Sequence, residues 1–201
     1  VKGMQIGLNK ISSTLIKQVP AIMGEADVLK TAILLPGVQT VGEGAAGFNV
    51  RGGSTDQNLI LLNGSPVFNS SHFFGFFSAF NPDLVKEFSL YKSGIPAEYG
   101  GRISSVFDIT TKSGNKKQLA GSGGISPVTS RLLVEGPIVR DKGSYLLTAR
   151  STYSDFIMKQ FDLPILRQSE ASFYDGSIVV NQQINHKNEL TFSAYTSGDR
   201  F

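Results

Sequence analysis

The pattern of apolar and polar positions changes character twice along the chain. Up to about residue 36 it is helical in texture. SSTLIKQV (12–19) reads as a short helix, capped by Ser12 or Ser13 and stopped before Pro20. EADVLKTAIL (25–34) sets Val28, Leu29, Ala32 and Ile33 on one face. Glu25 and Asp27 fall in its first turn, where the helix dipole favours them, and Pro36-Gly37 ends it. From Val38, short strand-like runs follow: VQTV, FNVRG and NLILL, separated by Gly, Ser and Asp. In LILLNGSPV, Asn63-Gly64 sits between two apolar runs and predicts a hairpin, because a type I′ turn needs two successive positive φ values. Asn81-Pro82-Asp83 reads as a helix cap with Pro at the first helical position. EFSLYK (87–92) and SSVFDITTK (104–112) read as strands flanking the loop SGIPAEYGGR. The stretch from about 20 to 112 is therefore expected to be a small mixed α/β unit.

After Lys112 the period becomes two. Four or five segments of about ten residues alternate in polarity and are separated by turn residues. In RLLVEGPI (131–138), Leu132, Val134 and Ile138 oppose Arg131 and Glu135. In SYLLTARSTY (144–153), Tyr145, Leu147 and Ala149 oppose Thr148, Arg150 and Thr152. SIVVNQQIN (177–185) sets Ile178, Val180 and Ile184 against Ser177, Asn181 and Gln183. ELTFSAYT (189–196) sets Leu190, Phe192 and Ala194 against Glu189, Thr191 and Ser193. The turns at 140–143 and 185–188 are short, whereas 154–172 is long. Short turns on one side and long loops on the other describe a transmembrane β-barrel. A soluble β-sandwich or meander alternates in the same way, and periodicity alone leaves the two open.

Composition narrows the chemistry. The chain has 201 residues and a formal charge of +3, with no basic block of five or more. A nucleic-acid surface clusters its Lys and Arg, so nucleic acid is not an expected partner. The absence of cysteine removes disulfides, thiol nucleophiles and Cys-based zinc sites together. No apolar run approaches the ~20 residues of a transmembrane helix, so any membrane assignment must come from strands. VKGMQIGLNK has no signal-peptide core and reads as the interior of something longer.

Three stretches invite a specific chemistry. GEGAAGFNVRGG (42–53) contains a literal G-x-G-x-x-G at Gly42, Gly44 and Gly47. A dinucleotide turn opens a helix and has an acidic residue about 20 positions on. Here FNVRGG follows, and the next acidic residues, Asp56 and Asp83, are too near and too far. The glycines read as a flexible loop, and no cofactor is expected. Nucleophilic catalysis lacks a base held by a carboxylate, since residues 57–82 around His72 carry no Asp, Glu, Lys or Arg and His186 lies in a polar turn. No ligands are spaced for a metal, so neither a catalytic nor a metal site is expected. FNSSHFFGFFSAFNP (68–82) packs Phe68, Phe73, Phe74, Phe76, Phe77 and Phe80 around His72, next to Asn69 and with no charged side chain. It reads either as a buried segment or as an aromatic binding loop. Arg51, set between strand residues and two glycines, is expected to pair with Glu98 or Asp56.

LLPGV (34–38), FNVRGG (48–53), DQNLILLNGSPV (56–67), KEFSLYKSG (86–94) and PAEYGGRISSVFDITTKSG (96–114) together resemble the plug domain of TonB-dependent outer-membrane receptors. The subset with an upstream carboxypeptidase-like regulatory domain is the most similar. The motif positions are Arg51, Gly52, Asp56, Gln57, Asn63, Gly64, Glu98, Tyr99, Gly100 and Gly101. The resemblance implies a lead-in over 1–19, an α+β plug over 20–116, and the first antiparallel barrel strands over 117–201. It implies a fragment of a plugged barrel of about 22 strands. The polar strand faces, Arg131, Glu135, Arg150, Asn181 and Glu189, would line the lumen and hydrogen-bond the plug; the apolar faces would meet outer-membrane lipid. The implied function is active transport of a nutrient, with TonB acting through a box upstream of Val1. Substrate would bind at apical loops, for which Asn69, His72, Phe73, Phe74, Phe76 and Phe77 are the candidates. A surface lipoprotein is a further implied partner. The alternative is a plug-like binding or signalling module that does not transport.

Overall fold

A computed structural model describes residues 7–20, 24–42, 47–72, 75–153 and 172–200. The chain divides into two compact units: residues 1–20 with 26–111, and residues 21–25 with 112–201.

In the first unit the elements run β1 (Leu8–Ser12), α1 (Ser13–Gln18), α2 (Val28–Ile33), β2 (Val38–Thr40), β3 (Phe48–Val50), β4 (Asn58–Leu62), β5 (Ser65–Pro66), β6 (Ser71–His72), β7 (Phe77–Ser78), β8 (Val85–Tyr91) and β9 (Ser105–Thr111). Five of the strands form a mixed sheet ordered β1-β8-β9-β4-β5, in which only the β9/β4 pair is parallel. The expected lead-in thus supplies an edge strand and a helix. Asn63-Gly64 makes the predicted hairpin, with φ of 50° and 78° and Leu62 opposite Ser65. Asn63 also ties the hairpin to β9, donating from Nδ2 to Thr111 Oγ1 at 2.9 Å and accepting the Thr111 amide at 3.0 Å. The core gathers Phe48, Phe80, Phe88, Phe107 and Ile109 beneath α2 residues Val28, Leu29 and Ala32. Phe107 stacks at 4.6 Å from Phe88 and meets Phe48 edge-on at 5.6 Å.

Two expectations in this unit are corrected. Asn81-Pro82-Asp83 caps no helix. The Asn81 side chain accepts the Asp83 amide at 2.9 Å, closing a turn, and β8 begins at Val85. The same Asn-Pro chemistry serves both structures, and the alternation after it favours a strand. The helix expected over 25–34 is only Val28–Ile33; Asp27 is its N-cap, accepting the Lys30 amide at 2.9 Å, and Glu25 lies outside it.

The second unit is a meander of five antiparallel strands: β10 (Ala120–Ile125), β11 (Thr129–Val139), β12 (Gly143–Thr152), β13 (Ser172–Gln183) and β14 (Glu189–Arg200), each paired with the next. On β12 and β13 burial alternates as the polarity pattern predicts, whereas the outer strand β14 is exposed along most of both faces. On β12, Ser144, Leu146, Thr148, Arg150 and Thr152 are buried, whereas Leu147 and Ala149 are exposed. Register carries the same sides across the sheet, with Leu147 opposite both Val134 and Ile178. Among the described residues, no helix is long and apolar enough to cross a membrane.

Candidate functional site

The first unit holds a cavity of about 270 Å³. Its walls come from the ends of β3 and β4, the 3-10 turn Thr55–Gln57, the segment from Pro66 to Ser71, and Arg102 in the loop before β9. Local chemistry shapes each wall. Val50-Arg51-Gly52-Gly53 is a tight turn closed by the Gly53 amide on the Val50 carbonyl at 2.9 Å. Arg51 and Gly52 have φ of 50° and 82°, the two positive values a type I′ turn demands. A Cβ on Gly53 would sit 2.2 Å from the Ser104 hydroxyl, so the next position is fixed by close approach. Ser54 then opens a capping box, with its amide donated to Gln57 Oε1 at 3.2 Å. Asn58 follows, buried, donating to the Phe48 carbonyl at 2.6 Å and accepting from Ser105 at 2.7 Å; it joins β3, β4 and β9.

These contacts revise the expected role of Arg51. Among the described residues it pairs with neither Glu98 nor Asp56. Arg51 is exposed on its turn, Glu98 is exposed beside the Pro96–Tyr99 turn, and Asp56 accepts from the Ser54 hydroxyl. The residue is held there by backbone geometry, not by an ion pair. Tyr99 donates to Asp108 Oδ2 at 3.1 Å. Burial, and then the Asp108 carboxylate, raise its pKa above the ordinary tyrosine value, so the phenol keeps its proton. Gly100 and Gly101 form the exposed loop that leads to Arg102, Gly101 with φ of 86°.

The aromatic candidates separate. Asn69 lines the cavity and is exposed. His72 and Phe77 face each other across the β6/β7 pair, and both are buried. That hairpin is pinned to α2, since Asp27 Oδ2 accepts the Ser78 amide at 2.9 Å and Lys30 Nζ donates to the Phe76 carbonyl at 2.6 Å. Phe76 is the most open of the three that are described, and Phe73 and Phe74 lie outside the described residues. Phe68, the first aromatic of the same stretch, lines the cavity and stands 90 % exposed, and Arg102, which the polarity pattern did not single out, lines it too.

The second unit contains a buried charge cluster. Arg150 donates Nη1 to Glu25 Oε1 and Nε to Asp175 Oδ2, both at 2.6 Å, with all three side chains almost fully buried. Thr129 donates to the other Glu25 oxygen at 3.1 Å, and the guanidinium lies 5.1 Å from the Phe173 ring centre. Arg150 and Asp175 are direct cross-strand partners. The expected lumenal Arg150 is therefore an ion-pair hub, and its partner Glu25 was hidden as a helix-dipole residue. Among the described residues no cluster of three or more metal-ligating side chains occurs.

A mixed sheet with short helices and punctuated loops, joined in sequence to an antiparallel meander with one apolar and one polar face, is the architecture of plugged outer-membrane receptors. Residues 9–106 match the TonB-dependent Receptor Plug Domain family. They form a plug domain of that family. No curated protein matches the sequence significantly. Among solved structures, the siderophore receptor PirA from Acinetobacter baumannii is 20% identical with a TM-score of 0.67, covering 98% of this chain and 32% of its own. FauA, the alcaligin outer-membrane receptor from Bordetella pertussis, is 14% identical with a TM-score of 0.65 over 98% of this chain and 32% of its own. The copper transporter OprC is 12% identical with a TM-score of 0.64 over 96% of this chain and 30% of its own. This chain therefore spans about a third of the length of the receptors whose fold it shares.

Proposed function

We propose that this chain forms the plug and first barrel strands of a receptor that carries a nutrient across the bacterial outer membrane under TonB control. The observation behind this reading is a plug domain followed in sequence by a sheet with an exposed apolar face and a buried face on which Arg150, Asp175, Thr148 and Asn181 lie among Leu146, Phe173 and Val179. In it, the plug gates the lumen, the strands from about 117 onward face lipid, and TonB engages a box on the N-terminal side of the plug. The cavity walled by Asp56, Asn69 and Arg102 contributes to substrate binding. The chain has no catalytic role in this scheme, and a surface lipoprotein is an additional partner to seek.

The test uses the full-length receptor in intact cells. Compounds removed from the medium and accumulated in the periplasm are measured by mass spectrometry, with and without TonB and with a protonophore. Accumulation that disappears in both controls supports transport. Compounds captured equally in all conditions, and never accumulated, would identify a binding or signalling module instead.

A further inference from the structure

The cavity of the first unit has opposite charges on its walls and an aromatic ring at its mouth. Asp56 and Arg102 both line it and both are exposed. Neither forms an ion pair with the other or with any other described residue. One Asp56 oxygen accepts from the Ser54 hydroxyl, a neutral donor that leaves the negative charge uncompensated. Asn69, Ser70 and Ser71 add amide and hydroxyl groups along one side. Phe68, also among the lining residues, presents most of its ring to solvent, an apolar surface beside the two charges.

We propose that this cavity recognises a zwitterionic ligand, a short peptide with free termini: Arg102 takes the carboxylate, Asp56 the ammonium, and Phe68 an apolar side chain. The assignment rests on reading the first unit as the substrate-facing plug. The argument is one of charge balance. A singly charged ligand attracted to one wall is repelled by the other, and a polyanionic chelate meets the Asp56 carboxylate wherever it meets Arg102. A neutral polyol finds the hydroxyl and amide partners but leaves two charges desolvated with nothing to compensate them. A dipolar ligand satisfies both. The guanidinium fork suits a carboxylate in two parallel hydrogen bonds, a geometry lysine would not offer. The volume is at the small end for ligand sites and fits one end of a peptide or a very short one.

The test is calorimetric titration of the full-length receptor in detergent with the tripeptide Ala-Phe-Ala, its N-acetyl form, its C-terminal amide, and maltose. The free tripeptide is expected to bind, with each blocked form at least tenfold weaker. Asp56→Asn should remove the advantage over the N-acetyl form, and Arg102→Gln the advantage over the amide. Both residues are exposed, so neither change should alter the melting profile. Equal binding of the blocked and free peptides, binding of maltose alone, or no binding of any peptide would each overturn the ligand class. Uptake is scored separately. A peptide that binds but does not accumulate in energised cells sinks the transport reading and leaves the ligand assignment standing. TonB-dependent accumulation of another compound, without peptide binding, does the reverse.

Discussion

The two units treat apolar surface in opposite ways. In the first, Phe48, Phe88, Phe107, Ile109 and Leu90 are essentially inaccessible, while the charged residues Lys86, Arg51 and Glu98 lie outside. In the second, Leu132, Leu147, Tyr174, Leu190 and Phe192 are exposed, each by 42% or more, and Ser144, Thr148, Arg150, Asp175 and Asn181 are buried. The first pattern is what water enforces. The second, left in water, would place a contiguous apolar sheet face in solvent, which monomeric soluble proteins rarely tolerate beyond a few hundred Å². Against hydrocarbon the same face is the expected outer surface of a barrel. A single rule, that apolar side chains meet apolar surroundings, thus gives the first unit an apolar core and the second an apolar outer face, over an interior where Arg150 and Asp175 lie beside Leu146, Phe173 and Val179.

The largest effects should come from disrupting the interior that each unit prefers. Phe107→Ala removes a ring in contact with both Phe48 and Phe88 and should cost about 3–5 kcal/mol. Arg150→Ala should cost a similar amount, about 3–5 kcal/mol, since it strands the buried carboxylates of Glu25 and Asp175. Hydrogen exchange on the full-length receptor separates the two: Phe107→Ala should loosen β4, β8 and β9, and Arg150→Ala should loosen β12 and β13. Combining Arg150→Met with Glu25→Gln and Asp175→Asn should damage less than Arg150→Ala alone, because no charge is left uncompensated. A penalty for Arg150→Ala within the ~0.5 kcal/mol typical of surface changes would remove the idea of a charged interior.

The exposed face gives a smaller but sharper contrast. Leu147→Arg should cost about 2–4 kcal/mol for the receptor folded in lipid vesicles, as expected for a charge near the bilayer midplane. In a water-facing sheet the same change would fall within about 0.5 kcal/mol. The measurement is a denaturant titration of vesicle-folded receptor, wild type against variant. A null result would turn the meander into a soluble sheet.

Much of this contrast is legible in the sequence because it depends on local alternation. Tyr145, Leu147 and Ala149 against Thr148, Arg150 and Thr152 fixes which side is which, and Asn63-Gly64 announces its own turn. What escapes is what depends on distant partners. Glu25 looks like a helix-dipole residue until Arg150, 125 positions away, claims it. The strand Leu8–Ser12 has meaning only as the antiparallel partner of β8. AGSGGI (120–125) has almost no side chains to alternate, so backbone pairing with β11 alone defines it. The site splits along the same line. Asn69 stays exposed on its loop, but His72 and Phe77 are drawn inward by a hairpin whose anchors, Asp27 and Lys30, lie on another element. Arg51 shows the converse: a charged side chain invited an ion-pair reading, while its position answers to a turn.

The smallest expected effect concerns a polar contact inside the first unit, where such contacts are subordinate to the phenylalanine core. Tyr99 donates to Asp108, and its ring lies 5.3 Å from that of Tyr91. Its pKa is raised in the folded state, chiefly by burial and then by the Asp108 carboxylate, from an ordinary value of 10.0. A group whose folded pKa lies above its unfolded one contributes stability that is complete below the unfolded value and is lost as pH rises through the folded one. Wild-type stability should therefore decline above about pH 10 as the unfolded phenol, but not the folded one, ionises. Tyr99→Phe should be less stable at neutral pH by about 0.5–1.5 kcal/mol, the net worth of one hydrogen bond. It should also lack this decline, so the two stability curves converge as the solution becomes alkaline. Denaturant titrations of the receptor at pH 8 and above 10, read by exchange in β8 and β9, test this. Parallel curves would mean that Tyr99 is solvated and that its bond to Asp108 contributes nothing to the fold.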